Sequence, residues 1–254
     1  MTALPRRSAV DPTATPRHAP PRSSAALRTQ LAGAAAGSSP IFLQTVGAEK
    51  EHLAQLRGLS GTALGLNGGG VLEGNCYDAR CTHMVVHKAK RTEKMLAGLA
   101  AGVWVLEPRW LTESAAAGRW LPEADYEFFA PGDVTTPFGG GYLTLWMGAA
   151  RSHRRCREQY NRGAFEGQNI VVAASDETAR RIRCILLAGG ATVLLPAELS
   201  TDSRVSLVVL PEDAPGYDTL RQEAVRHGAV CVPVSYVYLQ LTSQAPPSLE
   251  SYQP

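Results

Sequence analysis

From residue 41 onward, short runs of apolar residues alternate with segments in which apolar positions recur every three to four residues, the pattern of buried strands alternating with helices. Ile41-Phe42-Leu43 reads as a strand, and a helix carrying Leu53 and Leu56 follows it. Gly68-Gly69-Gly70 breaks the pattern ahead of a short strand at Val71-Leu72, and His83-Met84-Val85-Val86 is a third strand. A helix from about Thr92 puts Met95, Leu96 and Leu99 on one face and ends at Gly102; Trp104-Val105-Leu106 is a fourth strand. Pro108 suits the first turn of a last helix, which holds Trp110 and Leu111 and closes at Gly118. The order is β-α-β-β-α-β-α.

That order returns after Phe165. Ile170-Val171-Val172 is a strand, and Ile182, Ile185 and Leu186 form a helical stripe. Gly189-Gly190, the strand Thr192 to Leu195 and the strand Leu207-Val208-Val209 come next. A helix over Leu220 to Arg226 and a strand over Gly228 to Val232 complete the second unit. Overlaid, Gly102 meets Gly228 and Trp110 meets Tyr236, so the chain reads as a tandem duplication. Between the units, Ala130 to Gly141 is a Pro/Gly loop. Leu143, Trp146, Met147 and Ala150 then share one face of a linker helix, expected to cover the seam between the units. Its far end carries Arg151, His153, Arg154, Arg155 and Arg157, a run that suits a solvated helix terminus or a nucleic-acid patch.

Residues 1–40 differ from the rest: six prolines, ten alanines and no Ile, Phe, Tyr or Trp leave little side chain to offset the entropy of ordering, so a disordered tail is expected. Five arginines against the single acid Asp11 also fit an address signal. In the whole chain of 254 residues, 25 basic and 23 acidic side chains give a net charge of +2, so any cationic function must be local. Apolar runs stop well short of a membrane span, and the start lacks the apolar stretch of a secretory signal. Five scattered cysteines suit reduced thiols better than a disulfide framework, which points to the nucleus or cytosol.

Several stretches together resemble one family, the BRCT domain, and specifically a tandem BRCT pair. They are the repeat order, Cys81-Thr82-His83-Met84-Val85-Val86, Arg91-Thr92-Glu93-Lys94, Ala101-Gly102-Val103-Trp104-Val105-Leu106 and Trp110-Leu111. Tyr126-Glu127-Phe128 and Gly163-Ala164-Phe165 are further similarities, to the terminal pair of a replication-checkpoint scaffold. The resemblance implies an α/β fold of two BRCT domains, each a four-stranded parallel sheet flanked by helices. They would occupy residues 41–130 and 165–254, with a linker helix within 131–164. The second unit matches less closely, with Tyr236 in place of the expected tryptophan.

In open parallel sheets ligands bind past the carboxyl ends of the strands, where strand order reverses. The family's order, 2-1-3-4, puts that point between strands one and three, next to Thr45 and Arg91-Thr92-Glu93-Lys94. A hydroxyl, a guanidinium and an ammonium beside helix N-terminal amides suit a phosphate. By resemblance, Lys94 would contact the phosphate, Thr45 would donate its hydroxyl together with the Val46 amide, and Arg91 would hold peptide backbone at the seam. Gln44, one residue earlier, shares the candidacy of Thr45. The second unit has Ala174, Tyr217 and Leu220 at the equivalent positions, so only the first is expected to bind phosphate. The second would supply an apolar groove beside Pro233.

The resemblance thus implies a nuclear reader of phosphothreonine or phosphoserine in the DNA-damage response, with no catalysis, metal, cofactor or membrane. Its partner would be a phosphorylated protein such as a repair helicase or a checkpoint kinase. Direct DNA binding through the linker arginines and the basic tail is the alternative. Cys76, Cys81, His83 and His87 crowd together, but a strand would separate the two histidines by about 13 Å, too far to share a zinc ion. No GxGxxG, Walker or GxSxG pattern occurs, and Trp104 and Trp110 are expected in the core.

Overall fold

The structure, a computed structural model, describes residues 39–59, 65–88, 91–128, 143–199, 204–211, 216–243 and 245–252. The expected tail, apart from residues 39 and 40, and the Pro/Gly loop lie outside these residues. So do the side chains of Leu143, Trp146 and Met147 on the expected linker face.

Two parallel sheets are present. The first contains β1 (Phe42–Val46), β2 (Gly70–Val71), β3 (His83–Val86) and β4 (Trp104–Leu106), in the order β2-β1-β3-β4. The second contains β5 (Asn169–Val172), β6 (Thr192–Leu194), β7 (Leu207–Leu210) and β8 (Val230–Pro233), in the order β6-β5-β7-β8. Helices α1 (Lys50–Leu59), α2 (Glu93–Ala101) and α3 (Arg109–Ala117) belong to the first sheet; α5 (Asp176–Ala188), α6 (Asp218–Arg226) and α7 (Val234–Thr242) belong to the second. The linker helix α4 (Leu143–Tyr160) runs between them. The duplication read from the sequence is thus a duplication of topology. β3 and β7 are buried along their whole length, as central parallel strands covered on both faces must be.

β1 runs past the expected Ile41-Phe42-Leu43 as far as Val46, paired with β3 from Leu43↔His83 to Val46↔Val86. The apolar run stops at Gln44, but the ladder does not, because the polar side chain there finds partners inside the fold. α2 has the ends its sequence foretold. Thr92 is the N-cap, its hydroxyl accepting from the Met95 N–H at 3.3 Å, and Gly102 closes the helix at φ +68°. Gly102 serves packing as well: a Cβ there would sit 2.8 Å from the His153 carbonyl oxygen, so its lack of a side chain lets α4 lie against the end of α2.

The core has three parts. One apolar cluster fills the outer side of the first sheet around Leu43, Leu56, Val85, Leu106 and Trp110, and another that of the second around Val171, Val208 and Ala224. The third is continuous across both repeats, joining Met84, Met95, Leu96 and Leu99 to Phe165, Ile182, Leu186, Tyr236 and Val237. Within it α2 packs against α5, α7 and α4. A backbone hydrogen bond from Ala164 N to Ala100 O (2.8 Å) also crosses the seam. An apolar seam of this kind holds the two repeats as one body.

Candidate functional site

The carboxyl ends of β1 and β2 and the start of α2 enclose a cleft of about 400 Å³. Its walls include Thr45, Val46, Gly47 and Ala48 after β1, Glu73, Gly74 and Asn75 after β2, and Thr92 and Lys94 on α2. Leu53, Val71 and Leu72 form an apolar side. The first turn of α2 points its unpaired amides this way, and Thr92 satisfies only one of them.

Lys94 is the chemical centre. It is 9% exposed, and its Nζ donates to the carbonyl oxygens of Thr45 (3.3 Å) and Gly74. An ammonium has three protons to donate, so two carbonyls leave one for a ligand. Burial pushes the Lys94 pKa below its ordinary value, a penalty that a bound anion would reverse. Thr45 is half-buried, and among the described residues its hydroxyl makes no hydrogen bond. The carboxylate in the wall, Glu73, is held by Arg57 through two hydrogen bonds of 2.6 and 2.9 Å, which reduces its repulsion of an anion. Gly47 has φ +68°, and a Cβ there would fall 2.5 Å from the Lys88 carbonyl oxygen, so this turn needs glycine both for its dihedral angle and for space.

The structure brings Thr45, Val46 and Lys94 to one cleft and takes Gln44 and Arg91 elsewhere. Gln44 precedes Thr45 on a strand and therefore faces the other side of the sheet. It is completely buried, its Nε2 donating to Cys76 O (3.0 Å) and its Oε1 accepting from Asp78 N (3.1 Å). Both ends of the amide are engaged by the β2–β3 loop, so Gln44 braces that loop and is not among the residues lining the cleft. Arg91 is exposed and absent from the cleft wall; its guanidinium lies over the Tyr238 ring of α7, 5.1 Å from the centroid. Thr92, not singled out from the sequence as a ligand, does line the cleft; its position as N-cap of α2 was the signal for it.

Among its described residues, the second repeat offers no counterpart of Lys94. Counted from the helix caps, the residue matching Lys94 is Thr219; counted from Gly228, it is Leu220; neither is a cation. By sheet register the residue matching Thr45 is Val172, not the expected Ala174, since Leu43 pairs with His83 as Ile170 does with Leu207; Val172 also lacks a hydroxyl.

Of the linker cations, Arg155 is exposed, as a solvated helix end would have it, whereas Arg151, His153 and Arg154 are engaged inside the fold. Arg154 is buried, bonded to Glu127 (2.7 Å) and Glu158 (2.6 Å), with its guanidinium 3.8 Å from the Trp104 ring centroid. Arg151 also binds Glu127 (2.6 Å), and His153 meets the Gln240 carbonyl at 3.2 Å. Burial alone would raise the Glu127 pKa, but the hydrogen bonds from Arg154 and Arg151 outweigh it and hold the carboxyl below its ordinary value.

Cys81 is buried with its pKa pushed up to about 12 by desolvation, its thiol donating to the His83 carbonyl. His83 stacks on Trp110, and the His87 ring lies tilted against His52, 4.1 Å between centroids. Among the described residues, no three His, Cys, Asp or Glu side chains gather as a metal site. Trp110 is completely buried, whereas Trp104 is only partly so, with Arg154 over its ring. No described helix is long and apolar enough to cross a membrane.

The fold is that of a tandem BRCT pair. The paired fifth and sixth BRCT domains of Schizosaccharomyces pombe Brc1 superpose with a TM-score of 0.52 at 15% identity, over 85% of this chain and 100% of that one. In sequence, the chain is 32% identical over 126 residues to the SMC5-SMC6 complex localization factor protein 1 of Bos taurus, covering 48% of this chain and 11% of that protein. It is 28% identical over 181 residues to a BRCT domain-containing protein of Arabidopsis thaliana, covering 65% of this chain and 13% of that protein. The chain thus spans about a tenth of the length of the curated relatives it matches. No protein-family model matches it.

Proposed function

We propose that this chain is a phosphopeptide-binding adaptor module, a reader of phosphothreonine or phosphoserine on a partner protein, acting in the nucleus within the DNA-damage response. The observation that carries the reading is Lys94: an ammonium sunk into a cleft beside a helix N-terminus, bonded to the Thr45 carbonyl, with one proton left to donate. A phosphate brings about −1.5 to −2 charges and three acceptor oxygens. Lys94, Thr45, the Gly47 turn that follows Val46 and the first turn of α2 supply the matching donors. Nothing in this arrangement requires a reaction, so the module recognises rather than catalyses. The tandem BRCT fold and a relative named for localization of the SMC5-SMC6 complex support the setting. A repair helicase or checkpoint kinase is the kind of partner such a module would read.

The linker component of DNA binding is reduced, because Arg151 and Arg154 are spent on Glu127. The test is fluorescence anisotropy against a degenerate phosphothreonine/phosphoserine peptide library and its unphosphorylated twin, with wild type and Lys94→Ala. Binding confined to the phosphorylated library and lost in the variant is expected. Equal binding of the twins overturns the reading, and a salt-sensitive gain of anisotropy with duplex DNA alone would replace it with the DNA alternative.

A further inference from the structure

We propose that Tyr238, in the second repeat, is a positioning residue that holds the Arg91 guanidinium ready for the peptide segment next to the phosphate; this rests on the phosphopeptide reading above. The start of α2 is gripped from two sides by the second repeat. Glu93 takes an ion pair from Arg180 of α5 at 3.1 Å, and Arg91 lies over Tyr238 of α7. The two contacts leave their arginines in different states. Arg180 is consumed, its nitrogens going to Glu177 as well as Glu93. Arg57 and Arg154 are likewise spent on carboxylates. Arg91 makes no hydrogen bond or ion pair with the described residues.

A guanidinium held over a ring is attracted by its charge and gives up no carboxylate-type hydrogen bond to it, so its N–H groups stay available to other acceptors. The ring therefore holds Arg91 without spending its donors, whereas a carboxylate would hold it by spending them. A long arginine side chain otherwise surrenders rotamer freedom when it captures a ligand, and the ring removes part of that cost in advance. Arg91 is one residue from Thr92 in the cleft wall, so a peptide anchored at Lys94 and crossing the seam meets donors suited to its backbone carbonyls or to a carboxylate. The second repeat thus contributes to recognition through a ring, although the positions matching Lys94 hold no cation.

The test uses the full chain and the phosphorylated library, with Tyr238→Leu, which keeps apolar bulk but lacks a π face, and Tyr238→Phe, which keeps the ring. Tyr238→Leu should weaken binding about two- to fivefold, the worth of an exposed cation–π contact. Tyr238→Phe should match wild type, and competition by free phosphothreonine, which reaches only the cleft, should be unchanged. In an Arg91→Ala background Tyr238→Leu should cost nothing further. Wild-type affinity in Tyr238→Leu, or the same loss in both backgrounds, overturns the inference while leaving the phosphopeptide reading intact. Equal binding of the phosphorylated and unphosphorylated libraries by wild type overturns both.

Discussion

The Lys94 ammonium donates to the Thr45 carbonyl at 3.3 Å, joining the end of the first strand to a helix 49 residues later in the chain. The same group donates to Gly74 O, so a single cation closes the cleft on three sides. Lys94→Met should lower affinity for the phosphorylated library by about tenfold to a hundredfold, the worth of a hydrogen bond to a charged group, and leave the unphosphorylated twin unaffected. Anisotropy titrations measure both.

The depressed Lys94 pKa sets a pH dependence of defined sign. In the empty protein the folded pKa lies below the unfolded one, so between the two the unfolded chain binds more protons and stability rises with pH. A bound phosphate favours the charged form, so affinity should be greatest below the Lys94 pKa and fall as pH climbs through it. That fall should begin at a lower pH than the ordinary lysine value of about 10.4 would give. Dissociation constants measured from pH 7 upward check it, with Lys94→Arg, whose charge persists, removing the decline.

Glu127, 5% exposed, accepts from both Arg151 and Arg154 and thereby anchors α4 to the first repeat. Glu127→Ala would leave Arg154 buried with only the exposed Glu158 as partner, and should cost about 2–4 kcal/mol in urea unfolding. Since its folded pKa is depressed, the contribution of Glu127 is complete above the ordinary carboxylate value of about 4.3 and is lost as pH falls through the folded one. Acid unfolding of Glu127→Gln should show a correspondingly shallower slope than wild type.

Gly47→Ala should destabilise the fold by about 1–3 kcal/mol, because the new Cβ meets the Lys88 backbone and the dihedral angle is left-handed. The turn carries cleft amides, so binding should fall beyond what unfolding explains when measured well below the melting temperature.

Thiol labelling gives an independent view of the cleft. Cys76 is exposed and next to Asn75 of the wall, whereas Cys81 is buried with a pKa of about 12. Iodoacetamide should modify Cys76 in the native protein and Cys81 only after unfolding, and saturating phosphopeptide should slow the reaction at Cys76. Mass spectrometry of tryptic peptides reads out both.

Much of the architecture was legible because it is written in local patterns. The strand at His83–Val86 and the helix from its cap Thr92 to its stop Gly102 follow from periodicity and capping, which depend only on near neighbours in the chain. The length of β1 was not legible, because Gln44 is polar and its reason for being buried, the Cys76 and Asp78 backbone, lies more than thirty residues away. Arg154 misled for the same reason: a run of arginines reads as solvated until Glu127 and Trp104 are brought against it.

The candidate site divides along the same line. The amino-acid order alone determined that one repeat has a hydroxyl, a cation and a helix start at a switch point and that the other lacks them, since residue identity and strand order suffice for that. Which of those groups share a cavity was decided only in three dimensions. Thr45 and Lys94 meet because β1 and α2 converge at the carboxyl edge of the sheet, Gln44 turns away because neighbours on a strand face opposite sides, and Arg91 goes to Tyr238 because α7 packs at the seam. Side-chain direction and long-range packing carry no short-range signature, and they settle what a cluster of promising residues can hold.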